Sequence, residues 1–566
     1  MRRRFALLLL FVVVLYAARF VTRSLLSQAA VPTGSYLLLN LRGTYVEAPP
    51  QDLLGKLTGG GKPLLHLIET VKVAADDERI AGLIVRIGPL NIGWAKAQDI
   101  RDAFADFRKS NKPLLALLEQ EASGGNIEYY VATAAERIYL SPAATAPLNG
   151  LASNFVFLGG LWEHLDIELT VEKVREYKTM GDMLANKRMT NAHREMANSL
   201  LDSIDAQFVS GLAEGRGLDA AVVRNIINDC PVAPGAYETA GLSDGTKYLE
   251  AIHESLGGDQ VRLLEEDEYA PEVASRRSNG GPQVAIVYAT GTIVAGESTT
   301  GLQGEMVGAD TLREALEEAV DDEHVRAVVL RVDSPGGSAL ASDLVWRATQ
   351  SVRESKPLIV SMSDVAASGG YYISAGADRI FAQPGTFTGS IGVVFARPNV
   401  RGLLRGFGIN TETISRGRFA YLDDITTPID EEGRAKLIAE MDHIYEQFVD
   451  RVAKGRELSP EEVNEIGRGR VWTGAQAVNN GLTDGIGGLA VAINAAKERA
   501  GIDLSSAVEL VFLPREKPLL ARIADVFRSR GVLQVPEPIR TLTRVALHPF
   551  SDGTFATLMP ALIEIR

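Results

Sequence analysis

The chain carries one stretch of sequence twice. Tyr129–Pro142 (YYVATAAERIYLSP) reads like Tyr371–Pro384 (YYISAGADRIFAQP), 242 residues further on. The likeness continues in order along both halves: Tyr36–Glu47 echoes Val284–Glu297, Asp76–Gly88 echoes Asp321–Asp333, and Ala240–Gly245 echoes Asn480–Gly485. Their offsets, 248, 245, 242 and 240 residues, drift only slightly, so small insertions separate two versions of one domain. Each copy is long enough to bury its own core, which restricts the 566-residue chain to a tandem architecture.

Within each copy, short β-branched runs such as AVVLRV and PLIVSM alternate with helical patterns such as TLREALEEAVDD. Continuously apolar strands imply burial on both faces, so the expected fold is α/β around parallel sheets. The copies are expected at 31–270 and 282–505. Between them, residues 271–281 lie in a Pro-, Gly- and Ser-containing run (YAPEVASRRSNGGP, 269–282) that reads as a linker. A tail at 506–566 has no recognised counterpart in the first half, and its basic piece Leu519–Arg530 reads as a helix packed on the body.

The two copies have lost opposite halves of a catalytic pair. Ser368, in AASGG, stands three residues before Tyr371, where the first copy has Asn126. Fifty-two residues on, the first copy has Lys178 and the second has Ala420. A Ser–Lys pair can therefore form only between a lysine of one domain and a serine of another. Ser368 is expected in a small-residue turn between the strand KPLIVSM and a helix beginning near Tyr371, where helix capping is the alternative role. Lysine serves as a base only when neutral, which burial against a partner domain would bring about.

Further differences follow the serine. DSPGGSA puts Gly336 and Gly337 directly after a strand, where backbone N–H groups can face a tetrahedral oxyanion; the first copy has GPLNIGWA and no adjacent glycine pair. Gly369 keeps the nucleophile turn open to a substrate backbone. Ser338 reads as a helix cap. Ser390, 22 residues beyond Ser368, is matched by Leu148 and could hold the lysine amine. The pattern points to acyl transfer by a serine activated by lysine. A crotonase-like acyl-thioester enzyme and an inactive membrane scaffold are the competing readings.

Other chemistries lack their motifs. The seven histidines are scattered with no HExxH, so no metal is expected, and no phosphate-binding glycine loop implies a cofactor. A formal charge of −14 argues against nucleic-acid partners, and Cys230, the single cysteine, excludes an intrachain disulfide. At the N-terminus, Arg2–Arg4 precede an apolar run Phe5–Ala18, followed by Arg19 and Arg23. Residues 1–30 read as an uncleaved anchor in preference to a removed signal, with the body outside the cytoplasm. Gly296–Gly308, rich in Gly and Thr, reads as a lid or a loop.

RVDSPGGSALASD, SDVAASGGYYISAGADRIFAQPGTFTGSIGVV and GRVWTGAQAVNNGLTDGIG together resemble the signal peptide peptidase A (protease IV) family in its long two-repeat form. The resemblance covers about residues 31–505. It implies a caseinolytic-protease/crotonase-like domain in tandem duplication, with Ser368 as nucleophile, Lys178 as general base and Ser390 as supporting hydroxyl. It further implies a homo-oligomer, a tetramer in the family, anchored in the inner membrane with its body on the periplasmic side. Hydrophobic peptides such as cleaved signal peptides would be the substrates.

Overall fold

A computed structural model describes residues 31–48, 61–121, 124–277, 280–301, 304–515 and 556–558. The expected anchor at 1–30 and the expected helix Leu519–Arg530 lie outside the described residues. Among those described, no helix is long and apolar enough to cross a membrane.

Each copy is built on a largely parallel sheet. In the first, strands run in the order Lys62–Pro63, Ser35–Val46, Ile80–Asn91, Leu114–Leu118 and Arg137–Leu140, all parallel. In the second, Gln283–Thr290, Val325–Ser334, Leu358–Ala367 and Arg379–Ala382 repeat the series. Leu83, Val85 and Ile87 on one strand, and Val328, Leu330 and Val332 on its counterpart, are buried under helices, as apolar strands in parallel sheets require. Even individual bonds are duplicated. Tyr129 donates its hydroxyl to Leu242 O at 2.6 Å and Tyr371 to Leu482 O at 2.8 Å; Lys112 reaches Asp77 O at 2.7 Å and Lys356 reaches Asp322 O at 2.6 Å.

The expected boundaries move at both ends. Residues expected to be linker belong to a helix, Glu266–Arg277, whose Tyr269 and Val273 are buried in the first core, with Tyr269 also donating to Asp77 at 2.9 Å. Those two side chains lie four residues apart on one helix face, a spacing that outweighs the composition of the run. The second copy likewise continues past 505. Glu509–Leu513 pairs in parallel with Gln283–Thr290, just as Leu263–Glu265 pairs with Ser35–Val46. The start of the tail thus has a counterpart after all, in a strand of only three residues, too short to show as a sequence match.

A third sheet joins the copies. Its order is Thr299–Gly301, Gly304–Gly308, Thr292–Val294, Gly336–Ser338, Ala556–Leu558, Val394–Asn399 and Glu168–Lys173. Within Gly296–Gly308, the two described strands form an antiparallel hairpin, with the second laid against Thr292–Val294. The decisive pairing is the last. Glu168–Lys173 of the first copy lies antiparallel to Val394–Asn399 of the second, from Val394 opposite Lys173 to Asn399 opposite Glu168. That pairing carries an arm of the first copy onto the second.

Candidate active site

The strand Leu358–Ala367 ends in two buried alanines, and the chain then turns sharply at Ser368. Ser368 has φ 55° and ψ −114°, and the helix Gly369–Ser374 begins immediately after it, two residues earlier than the sequence reading placed it. A residue with a Cβ at positive φ costs on the order of 1–3 kcal/mol, so the surroundings must enforce the turn. They do so with two backbone bonds: Ser368 N–H to Gly389 O and Tyr372 N–H to Ser368 O, both 2.8 Å. The glycines after it are sterically required. A Cβ at Gly369 would sit 2.5 Å from Ser342 Oγ and 3.1 Å from Gly337 N, and one at Gly370 2.6 Å from Ser334 O. Ser368 makes no side-chain cap bond, so its hydroxyl is not the helix cap that was the alternative reading.

Lys178 arrives on the arm that follows Glu168–Lys173. Val174 N–H bonds Val393 O at 3.0 Å and Tyr177 N–H bonds Arg468 O at 3.1 Å, which fixes the arm on either side. Gly469, at φ 81°, is what lets it through, since a Cβ there would lie 2.4 Å from Lys178 N. Gly392 similarly faces Lys178 Cδ, at 3.3 Å from a Cβ position. Neither glycine was singled out from sequence; they lie in loops with no distinctive spacing, and only the docked arm gives them meaning.

Lys178 is completely buried, and its Nζ lies 2.6 Å from Ser368 Oγ, 2.9 Å from Ser390 O and 3.1 Å from Ser390 Oγ. These three polar neighbours can take the three N–H groups of an ammonium; a neutral amine has two N–H bonds and one lone pair to place among them. In the neutral form, with Ser390 O and Oγ taking the two N–H groups, the lone pair is left for the Ser368 hydroxyl. Among the described residues no carboxylate pairs with this amine, and burial holds its pKa well below the ordinary lysine value. Ser368 and Ser390 are themselves fully buried, and Ser390 is held at φ 53° with its N–H on Arg470 O at 2.7 Å.

The glycine loop lies against this pair, but its members differ. Gly336 N–H donates to Ser334 Oγ at 3.2 Å, so it is engaged within its own loop and does not match the expected oxyanion donor. Its φ of 100° is the reason glycine stands there. Gly337 admits no side chain, because a Cβ would lie 1.9 Å from Ile293 O. Ser338 caps the helix Ala339–Ser355 by accepting from Ala341 N–H at 3.3 Å, as its position suggested.

A model of peptidase family S49 matches residues 106–253 and 350–503, one segment in each copy. The chain is 36% identical over 522 residues to the chloroplastic serine protease SPPA of Arabidopsis thaliana, covering 90% of this chain and 76% of that one. The chain belongs to peptidase family S49. A second relative of this family, Protease 4 of Haemophilus influenzae, is 29% identical and covers 85% of this chain and 81% of its own. Among solved structures, a membrane-bound stomatin-specific protease, 1510-N, aligns over 42% of this chain and 99% of its own, at 15% identity and TM-score 0.27. ClpP1 from Listeria monocytogenes aligns over 39% of this chain at TM-score 0.24. As an S49 member, the protein is a serine peptidase with an α/β domain present twice.

Proposed function

We propose that this S49 peptidase cleaves extended hydrophobic peptides, such as spent signal peptides, with a Ser368–Lys178 dyad assembled between its two repeats. The observation that carries the reading is the 2.6 Å approach to the serine hydroxyl of a fully buried lysine amine that has no carboxylate partner among the described residues. The neutral Nζ takes the Ser368 proton as Oγ attacks the scissile carbonyl carbon. Negative charge develops on the carbonyl oxygen, where the backbone amides of Gly337 and Gly369 are the candidate donors. The lysine then returns its proton to the departing amine, leaving an acyl-enzyme. Water attacks that ester with Lys178 again as base, restoring the free serine. Ser390, through its carbonyl and hydroxyl, keeps the amine aimed.

Backbone pairing beside the dyad supports an extended substrate. Ala556–Leu558 of the chain itself lies antiparallel to Gly336–Ser338, and Ala556 also pairs with Val394 across the slot. A peptide entering this slot would gain main-chain hydrogen bonds by strand addition.

The same reading includes a homo-oligomer at the inner membrane, held by residues 1–30 with the body on the periplasmic side. Support for self-association comes from the repeat. The helix Gly159–His164 of the lysine-bearing arm has its counterpart 242 residues on, in Arg401–Gly406. The first arm is covered by the second copy, whereas residues after its counterpart expose Phe407 (76%) and Ile414 (88%). A second copy of this chain is the proposed cover.

The dyad is tested with the full chain in detergent and a fluorogenic hydrophobic peptide. Ser368→Ala and Lys178→Ala should each abolish cleavage, and a fluorophosphonate should label only proteins that retain both residues. Cleavage surviving in Ser368→Ala would overturn the assignment.

A further inference from the structure

Beneath the active turns lies a buried charged cluster that the dyad does not use and that crosses the interface between repeats. Lys96, on the first-repeat helix Trp94–Arg108, reaches Asp333 Oδ2 at 2.6 Å and Asp364 Oδ2 at 2.8 Å, both in the second repeat. Beside it, Arg331 binds Glu47 through Nε (2.7 Å) and Nη2 (2.9 Å), and Asp99 through Nη2 (2.7 Å). Glu47 and Asp99 come from the first repeat and Arg331 from the second; all three are buried, as is Lys96.

The location of these bonds gives them significance. Strands Val325–Ser334 and Leu358–Ala367 run in register to Val332 opposite Met362, then resume at Ser334 opposite Ala366. Asp333 alone therefore faces Ser363, Asp364 and Val365, a bulge in the strand that ends at Ser368. Every residue of the bulge is tied down. Ser363 donates to Glu47, Asp364 accepts from Gly93 N–H (3.1 Å) and Lys96 N–H (3.0 Å), and Val365 N–H donates to Asp333 Oδ1 (3.2 Å). Gly93 has to be glycine for this, since a Cβ would fall 2.4 Å from Asp364 Cγ. On the other strand, Asp333 leads directly into Ser334–Gly337, the glycine loop.

We propose that Lys96 is a positioning residue: by clamping Asp333 and Asp364 it sets the glycine loop and the Ser368 turn in their working relation. Docking of the first repeat thereby does two things, delivering Lys178 and shaping the acceptor around Ser368. A buried ion cluster is a poor source of net stability, because apolar residues of similar volume would serve as well or better. Burial raises the Asp333 and Asp99 pKa values, Lys96 and Arg331 respectively oppose that rise, and the bonds they make are instead well suited to fixing geometry. Burial opposes the charge on Lys96, yet Asp333, Asp364 and Glu47 together hold its ammonium above the ordinary lysine range, so it stays a cation throughout the working pH.

The inference rests on the dyad reading, and the experiment separates the two. Lys96→Met and Lys96→Arg are made in the full chain and assayed with the same hydrophobic peptide. Lys96→Met should lower kcat by about 100-fold while KM stays within threefold, because a misplaced acceptor loses transition-state contacts selectively. Fluorophosphonate labelling of Ser368 should slow in parallel, and the acid limb of the rate profile should stay put, since Lys178 is untouched. Lys96→Arg, which can still bridge two carboxylates, should recover to within tenfold of wild type. A folded Lys96→Met with kcat within threefold of wild type overturns the proposal. If that variant does not fold, Asp364→Asn replaces it, with the same fall expected and full activity equally fatal. Loss of cleavage in Ser368→Ala alongside full activity in Lys96→Met would remove the positioning role and leave the dyad standing.

Discussion

Replacing Lys178 with methionine should make the protein both inactive and more stable, and the pH dependence of that stability reports the proton. Methionine keeps the stem length without the charge, so the fully buried space stays filled. In the unfolded chain the lysine titrates near its ordinary value of about 10.4, whereas burial depresses it well below that in the fold. Between the two values the unfolded chain holds one more proton than the native protein. Stability must then fall as pH falls, by about 1.4 kcal/mol per unit, and level off once the folded pKa is passed. Lys178→Met has no such proton, and other titrating groups cancel when the two proteins are compared. Over two pH units inside the window, the difference should move by about 2.7 kcal/mol in favour of the variant. Urea unfolding at several pH values measures it, while peptide hydrolysis should drop by about 10⁴-fold or more. The acid limb of wild-type kcat/KM should coincide with the levelling point. A stability difference that stays flat with pH would show that the lysine keeps its proton in the fold, and would refute the base assignment whatever happened to activity.

Gly469→Ala should be nearly as damaging to activity without touching the chemistry. Its Cβ would lie 2.4 Å from Lys178 N and 2.8 Å from Lys178 Cα, backbone that cannot swing aside, so the arm shifts and kcat falls by about 100-fold or more. Ser390→Ala removes one contact to the amine but leaves the Ser390 carbonyl at 2.9 Å, so a milder loss in kcat of about tenfold is expected in steady-state assays. Phe407→Asp with Ile414→Asp should shift the particle mass to that of a single chain in light scattering, with the Lys178–Ser368 contact intact because both residues belong to one chain.

Much of this was legible in sequence because duplication supplied an internal comparison. Ser368 against Asn126, and Lys178 against Ala420, located two residues that the fold brings to 2.6 Å across 190 residues of chain. Ser390 was found in the same way. What escaped depends on contacts between the copies, where no repeat comparison helps. Gly469 and Gly392 accept the arm, and Lys96, Glu47 and Arg331 join the two repeats, but each lacks a diagnostic spacing. Part of the interface is apolar, since Ala367, Phe387 and Val471 of the second copy sit in the first copy's core. Gly336 was misread for a different reason. A glycine pair signals a tight turn, but only the fold shows that one N–H is taken up by Ser334 Oγ.

The first repeat also bears on why the proposed dyad forms once per chain. Its turn has not merely lost a serine; the vacant functions have been filled with internal bonds. Asn126 donates to Asn149 Oδ1 at 3.2 Å and to Gly150 O at 2.9 Å, so its amide nitrogen is spent locally. Glu128 stands where the second copy has Gly370, and its carboxylate accepts from Leu90 N–H at 2.8 Å, at the end of the strand Ile80–Asn91. Burial raises the Glu128 pKa, and backbone donors such as Leu90 oppose that rise. That backbone donor thus has a partner within the repeat, which suits a structural role and leaves it unavailable to an oxyanion. Ala420, the counterpart of Lys178, is exposed. On the proposed dyad one junction holds both the base and the nucleophile, and the other is closed by bonds of its own. The complementary lesions in the sequence and the internal hydrogen bonds in the fold are two views of that one division of labour.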